Sequence, residues 1–263
     1  MIDFLKESTF AVNDVIRIAW KILKSQYLKI LGLCLMMFLI FNLSGFLAYF
    51  ISGFNFGISL LMFLIFTITY FGFQLTLFRF ILRVLDEKRE DVYVKDSIPT
   101  TRQIIKFLIA TFYFILCIFV VYGVIIVIVF PFAYLKVPMS VLTQIATSLG
   151  VLGIIFTWIR ISFFPFFIID KDCSPFKSIR LSLAITRGNF TKILLLLSFL
   201  AIFQVLSIFF INFEGDFIIA GLLNLINSLL VIPLSSVAIS VAYRQMMDEY
   251  QGDQDPDILG NII

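Results

Sequence analysis

Three arginines stand near the inner ends of the second, fourth and sixth long apolar runs of this chain: Arg79, Arg160 and Arg244. A guanidinium stays charged at physiological pH and presents a planar fork of donors that matches a carboxylate or a phosphate. Each is followed by an acid (Asp86, Asp170 and Asp248), and the arginines lie 81 and 84 positions apart. Converging beneath a bundle, they would hold an anion such as a lipid phosphate. Arg180 and Arg187 extend this set of anion or lipid-headgroup candidates. Arg160 is the most demanding of the five, because residues 161–169 carry no charge. An unbroken helix would put it about 15 Å from Asp170 at ~1.5 Å per residue, and Pro165 between them kinks or ends that helix. A charge at such depth costs at least a few kcal/mol unless it snorkels or pairs.

A second set is polar and uncharged: Gln74, Gln144, Gln204, Asn224 and Asn227, with Asn42 besides. Gln144, Thr147 and Ser148 share one helical face, as do Asn224 and Asn227. Hydrogen bonds between spans account for such groups at about 0.6 kcal/mol each. The alternative is a polar pathway for a lipid or amphiphile.

Other chemistry is excluded. With no histidine, the chain has no Ser-His or Cys-His nucleophile and no histidine metal ligand or proton shuttle. No Asp or Glu falls inside a predicted span, which argues against a carboxylate relay. No phosphate-binding glycine loop is present. Cys34, Cys117 and Cys173 follow no metal or disulfide spacing. The expectation is no catalytic residue, metal or cofactor, no enzyme activity and no nucleic-acid partner.

The elements that must position these residues follow from hydropathy. The chain is 61% hydrophobic and 14% charged, with a mean hydropathy of +1.06. Soluble domains carry about 25% charge. Six runs reach the roughly 20 apolar residues a span requires: about 27–51, 56–82, 103–130, 140–164, 191–212 and 217–243. Nineteen of the twenty Lys and Arg residues fall on one side of that topology, with Lys136 the exception. By the positive-inside rule the termini and both long loops are cytoplasmic. The acids Asp3, Glu7 and Asp14 argue against a cleaved signal at the start. The stretch from Asp248 onward is acidic, aperiodic and expected to be solvated.

Two stretches read as amphipathic helices lying in the cytoplasmic interface. Over 8–24, Asn13, Asp14, Arg17, Lys21 and Lys24 oppose Val12, Ile16, Trp20 and Leu23. Over 174–188, Ser174 is the predicted N-cap, Pro175 the first helical residue and Gly188 the stop. There Lys177, Arg180 and Arg187 oppose Phe176, Ile179 and Leu183. Anionic headgroups at that face are the expected partners, beside a membrane-protein partner.

The chain also repeats itself in three units, each an approach segment and two spans. Residues 25–31 (SQYLKIL) align with 188–194 (GNFTKIL), Arg17 aligns with Arg180, and Lys106 is the counterpart of Lys29 and Lys192.

The most distinctive stretch is Arg160-Ile-Ser-Phe-Phe-Pro-Phe-Phe-Ile-Ile-Asp170, followed by Ser174-Pro175 and Thr186-Arg187-Gly188-Asn189. It resembles the membrane domain of bacterial glycerophosphoryl diester phosphodiesterase membrane-domain proteins and their six-span relatives. The phosphodiesterase catalytic domain is missing, so the resemblance implies a bacterial inner-membrane location and no hydrolase activity. The expected architecture is all-α: six transmembrane helices in three helical hairpins with interfacial amphipathic helices, forming one membrane domain. The expected function is non-enzymatic, through lipid or partner-protein contacts, with a small lipid permease as the alternative.

Overall fold

The computed structural model describes residues 11–52, 56–87, 92–135, 138–211 and 217–249. Asp3, Lys6, Glu7, Lys88, Arg89, Lys136, residues 53–55 and 212–216, and the acidic stretch beyond 249 lie outside them. Every regular element among the described residues is helical. The α-helices are α1 (Val12–Ser52), α2 (Phe56–Glu87), α3 (Thr101–Val129), α4 (Met139–Ile161), α5 (Phe164–Lys171), α6 (Pro175–Ile185), α7 (Phe190–Phe209), α8 (Phe217–Ile226) and α9 (Ile232–Glu249). A π-helical turn, Asn227–Val231, joins α8 to α9. Among the described residues, six stretches are long and apolar enough to cross a membrane: Val12–Leu47, Phe56–Asp86, Thr101–Phe132, Met139–Lys171, Phe190–Phe209 and Ile218–Asp248.

The described residues divide into two compact units, one made of those up to Ile104 and from Thr191 onward, the other Ile105–Phe190. In the first, α1 packs against α2 and α9, and α2 against α9. The segment expected to form a separate helix over 8–24 is, from Val12 on, the first part of α1, which continues into the span across a kink at Gln26 (φ −119°, ψ 25°). Its buried stripe is Val15, Ala19 and Leu23, continuing through Gln26 to Ile30, the three- and four-residue spacing of one helical face. Trp20 is exposed rather than aligned with Leu23. Ala238, Ser240 and Ala242 of α9 are fully buried, small side chains that let helices approach closely.

In the second unit the close approach is between α3 and α4. A Cβ on Gly150 would come within 2.9 Å of Tyr122, and one on Gly153 within 2.9 Å of Val121. Helix α5 is buried on all sides from Phe164 to Ile169, as befits a helix apolar all round. Phe164 stacks on Phe107 with ring centroids 5.3 Å apart.

One local arrangement recurs three times. A buried amide precedes a lysine by three residues at Gln26–Lys29, Gln103–Lys106 and Asn189–Lys192, the amides being 7%, 7% and 5% exposed. The residue after each lysine, Ile30, Phe107 or Ile193, is buried as well. Each amide marks a start or a break: the α1 kink, the first turn of α3, and the passage from α6 to α7, where Gly188 has φ +85°. Lys29 Nζ donates to the Val92 carbonyl at 3.2 Å, and Lys106 Nζ to the Asp172 carbonyl at 2.6 Å. Donor and acceptor are 63 residues apart in the first case and 66 in the second.

Candidate functional site

The three span-end arginines have different surroundings. Arg244 of α9 forms a two-pronged ion pair with Asp86 of α2, its Nε donating to Oδ1 at 2.8 Å and its Nη2 to Oδ2. Asp86 is the acid that follows Arg79 in the sequence, so the pairing joins two helices. Arg79 Nη1 donates to the Ile98 carbonyl at 3.2 Å and to Gln103 Oε1 at 3.3 Å. That amide oxygen also accepts from the Thr100 N–H at 3.0 Å, while the Gln103 N–H donates to Thr100 Oγ1 at 3.4 Å. Thr100-x-x-Gln103 is therefore a capping box, and Arg79 is tied to the N-terminus of α3 through it.

Arg160 lies at the end of α4, where the helix breaks at Ser162–Phe163 before resuming as α5 with Pro165 in its first turn. Its carbonyl accepts from the Ser182 hydroxyl at 2.9 Å and from the Thr186 hydroxyl at 3.2 Å. The Phe163 N–H donates to the same Ser182 oxygen at 3.1 Å, and the Ser162 hydroxyl closes on the Ile159 carbonyl at 2.9 Å. Broken helices are tolerated at membrane depth only where such groups are re-satisfied, and here Ser182 of α6 and Thr186 just beyond it supply the hydroxyls. The expected face of α6 holds at Ile179, which is buried, and at Arg180 and Arg187, which are exposed, and fails at Phe176. Ser178, Ser182 and Thr186 are buried together with Ile179 and Ile185, whereas Phe176 is exposed with Arg180 6.0 Å over its ring.

The Arg160 guanidinium is partly exposed and has no hydrogen-bond or ion-pair partner among the described residues. The nearby guanidinium of Arg187 interacts with it as a like charge. Comparison with family models, curated proteins and solved structures found no match to this chain. The site rests on its own geometry.

Of the polar set, Asn227 Nδ2 donates to Gln204 Oε1 at 2.8 Å, which pairs α7 with the π-helical turn. Gln74 and Asn224 are partly exposed in the same unit; Gln144 is exposed in the other. The contacts that sequence reasoning missed are those of Ser182, Thr186 and Tyr27. Nothing in the sequence sets these hydroxyls apart, and only the prolines at 165 and 233 hint that helix carbonyls nearby would need donors.

Beyond α5, Asp172 adopts a left-handed conformation (φ 48°) and is held by Lys106, whose Nζ reaches its carboxylate at 2.8 Å. Cys173, next to it, is buried, and that burial raises its thiol pKa. Lys177 and Lys106 oppose the rise, while Asp172 and Asp170 add to it.

Proposed function

We propose that this protein is a non-enzymatic integral component of a bacterial cytoplasmic membrane that acts by engaging anionic lipid headgroups or a membrane partner, with both termini inside. The observation that carries the reading is the Arg160 guanidinium, a cation at a broken span, beside Arg187, with no described acid on it. A cation left so is costly in lipid unless an anion meets it, and a phosphate suits a guanidinium fork. The one-sided distribution of Lys and Arg supports the orientation. The stretch that resembles the phosphodiesterase membrane domain is also the one that builds the α4–α5 break and its α6 splice. The permease reading has less behind it, since Gln204 and Asn227 satisfy each other.

The test is lipid co-purification. Arg160→Gln should lower the retained anionic phospholipid in native mass spectra while the chain stays folded. Unchanged retention together with unchanged stability sinks the reading.

A further inference from the structure

Gly72-x-x-x-Thr76-x-x-Arg79 in α2 and Gly153-x-x-x-Thr157-x-x-Arg160 in α4 share one spacing. In both, the threonine hydroxyl bonds the glycine carbonyl, at 2.7 and 2.8 Å. Their glycines have opposite surroundings. A Cβ on Gly153 would meet Val121 at 2.9 Å and Ile125 at 3.2 Å, so α3 fills that space. A Cβ on Gly72 would meet nothing within 4 Å. Glycine in a helix interior costs about 1 kcal/mol relative to alanine, and at Gly72 no packing against protein offsets that.

The open space is a groove of about 360 Å³, bounded among others by Leu33, Gly72, Phe73, Thr76, Val94 and Ile98. Its size lies within the ~300–1,000 Å³ of ordinary ligand sites. The hydroxyl of Thr76 is spent on the Gly72 carbonyl and that of Thr69 on the Ile65 carbonyl, so the groove offers a ligand mostly hydrocarbon. Arg79, one turn beyond Thr76, is bonded to the carbonyl of the lining residue Ile98. Both of its hydrogen bonds come from Nη1, leaving Nε and Nη2 for an anion. Arg83 adds a second positive charge beside it, and neither arginine has an acid partner among the described residues. An apolar trough in a span-length helix with cations at one end fits a molecule with a hydrocarbon chain and a negative head.

We propose that this groove holds one acyl chain of an anionic phospholipid, with its phosphate against Arg79 and Arg83. The inference rests on the lipid-contact reading above and gives it a second, separately testable site. The test uses the full chain in nanodiscs of phosphatidylcholine with a minor fraction of phosphatidylglycerol, followed by native mass spectrometry of the released protein. Gly72→Leu fills the groove and should keep or raise the melting temperature while each chain retains one phosphatidylglycerol fewer. A folded Gly72→Leu protein with undiminished phosphatidylglycerol overturns the proposal, as does equal retention of phosphatidylcholine by the unaltered chain. If Gly72→Leu does not fold, the unaltered chain is crosslinked with phosphatidylglycerol carrying a diazirine on its acyl chain. Adducts at residues 94–104 and 69–76 support the groove, and their absence from both stretches overturns it. Loss of lipid with Arg160→Gln but not Gly72→Leu sinks the groove alone. The converse sinks the Arg160 site alone.

Discussion

The hydroxyl of Tyr27 in α1 donates at 3.0 Å to the carbonyl of Leu229, whose usual helical donor four residues on is Pro233. Proline has no N–H to give, so an aromatic residue far away in sequence supplies one. Tyr27→Phe should destabilise the folded protein by roughly 0.6 kcal/mol, the average for such bonds in membrane proteins. In a Pro233→Ala background the backbone donor returns and the cost should disappear. Reversible unfolding in mixed micelles gives both values, and an equal cost in the two backgrounds would refute the assignment.

Ser182 does the corresponding work in α6, with one hydroxyl serving both sides of the α4–α5 break. Ser182→Ala removes the acceptor of the Phe163 N–H and one of two hydroxyls on the Arg160 carbonyl. The expected loss is about 1–3 kcal/mol, that of a buried polar group deprived of its partner. Thr186→Val, which leaves Ser182 in place, should cost less. Hydrogen exchange should speed up most at the Phe163 amide in the Ser182 variant; exchange unchanged there would contradict the splice.

The Arg244–Asp86 pair is half open to solvent, with side chains 19% and 48% exposed. Screening limits its coupling energy to about 1 kcal/mol or less. A double-mutant cycle with Arg244→Gln and Asp86→Asn should give that value at low ionic strength and close to nothing at 1 M salt, where the screening length is ~3 Å. A coupling of several kcal/mol that ignores salt would mean the pair is effectively buried.

Cys173 carries a pH signature. Burial is the main cause raising its pKa, so little thiolate exists near neutrality and maleimide labelling should be slow there, rising only above the ordinary thiol range. Folding should be favoured below the thiol's unfolded pKa, and that advantage should fade as pH climbs through the higher folded value. Lys106→Met removes a neighbouring charge that lowers the pKa, so it should push the labelling profile further up. Rates followed by peptide mass mapping, which separates Cys173 from Cys34 and Cys117, provide the check. A profile shifted down by Lys106→Met would contradict the electrostatics.

The six apolar stretches could be read from sequence because bilayer thickness sets a length that hydropathy alone meets. Their inner ends could not. The buried amides at 26, 103 and 189 each lie three residues before a lysine and look like ordinary interfacial polarity until burial separates them. Asp86 lies 158 residues from Arg244, a distance across which charge patterning says nothing about pairing. Helix α6 misled for a physical reason: amphipathicity assigns Phe176 inward, yet the broken backbone at Ser162–Phe163 needs hydroxyls more than it needs another ring. Arg160 was identified for its charge, and its carbonyl proved equally constrained.

The lysine ties of α1 and α3 turn two stretches of chain into rings of nearly equal contour, closed at Val92 and at Asp172. Each ring contains its own fastener, so damage to one does not unfasten the other. Lys29→Met and Lys106→Met share no partner and should therefore have additive effects on stability, within about 0.5 kcal/mol. The protein is in that sense fastened twice, by two lysines that share no acceptor.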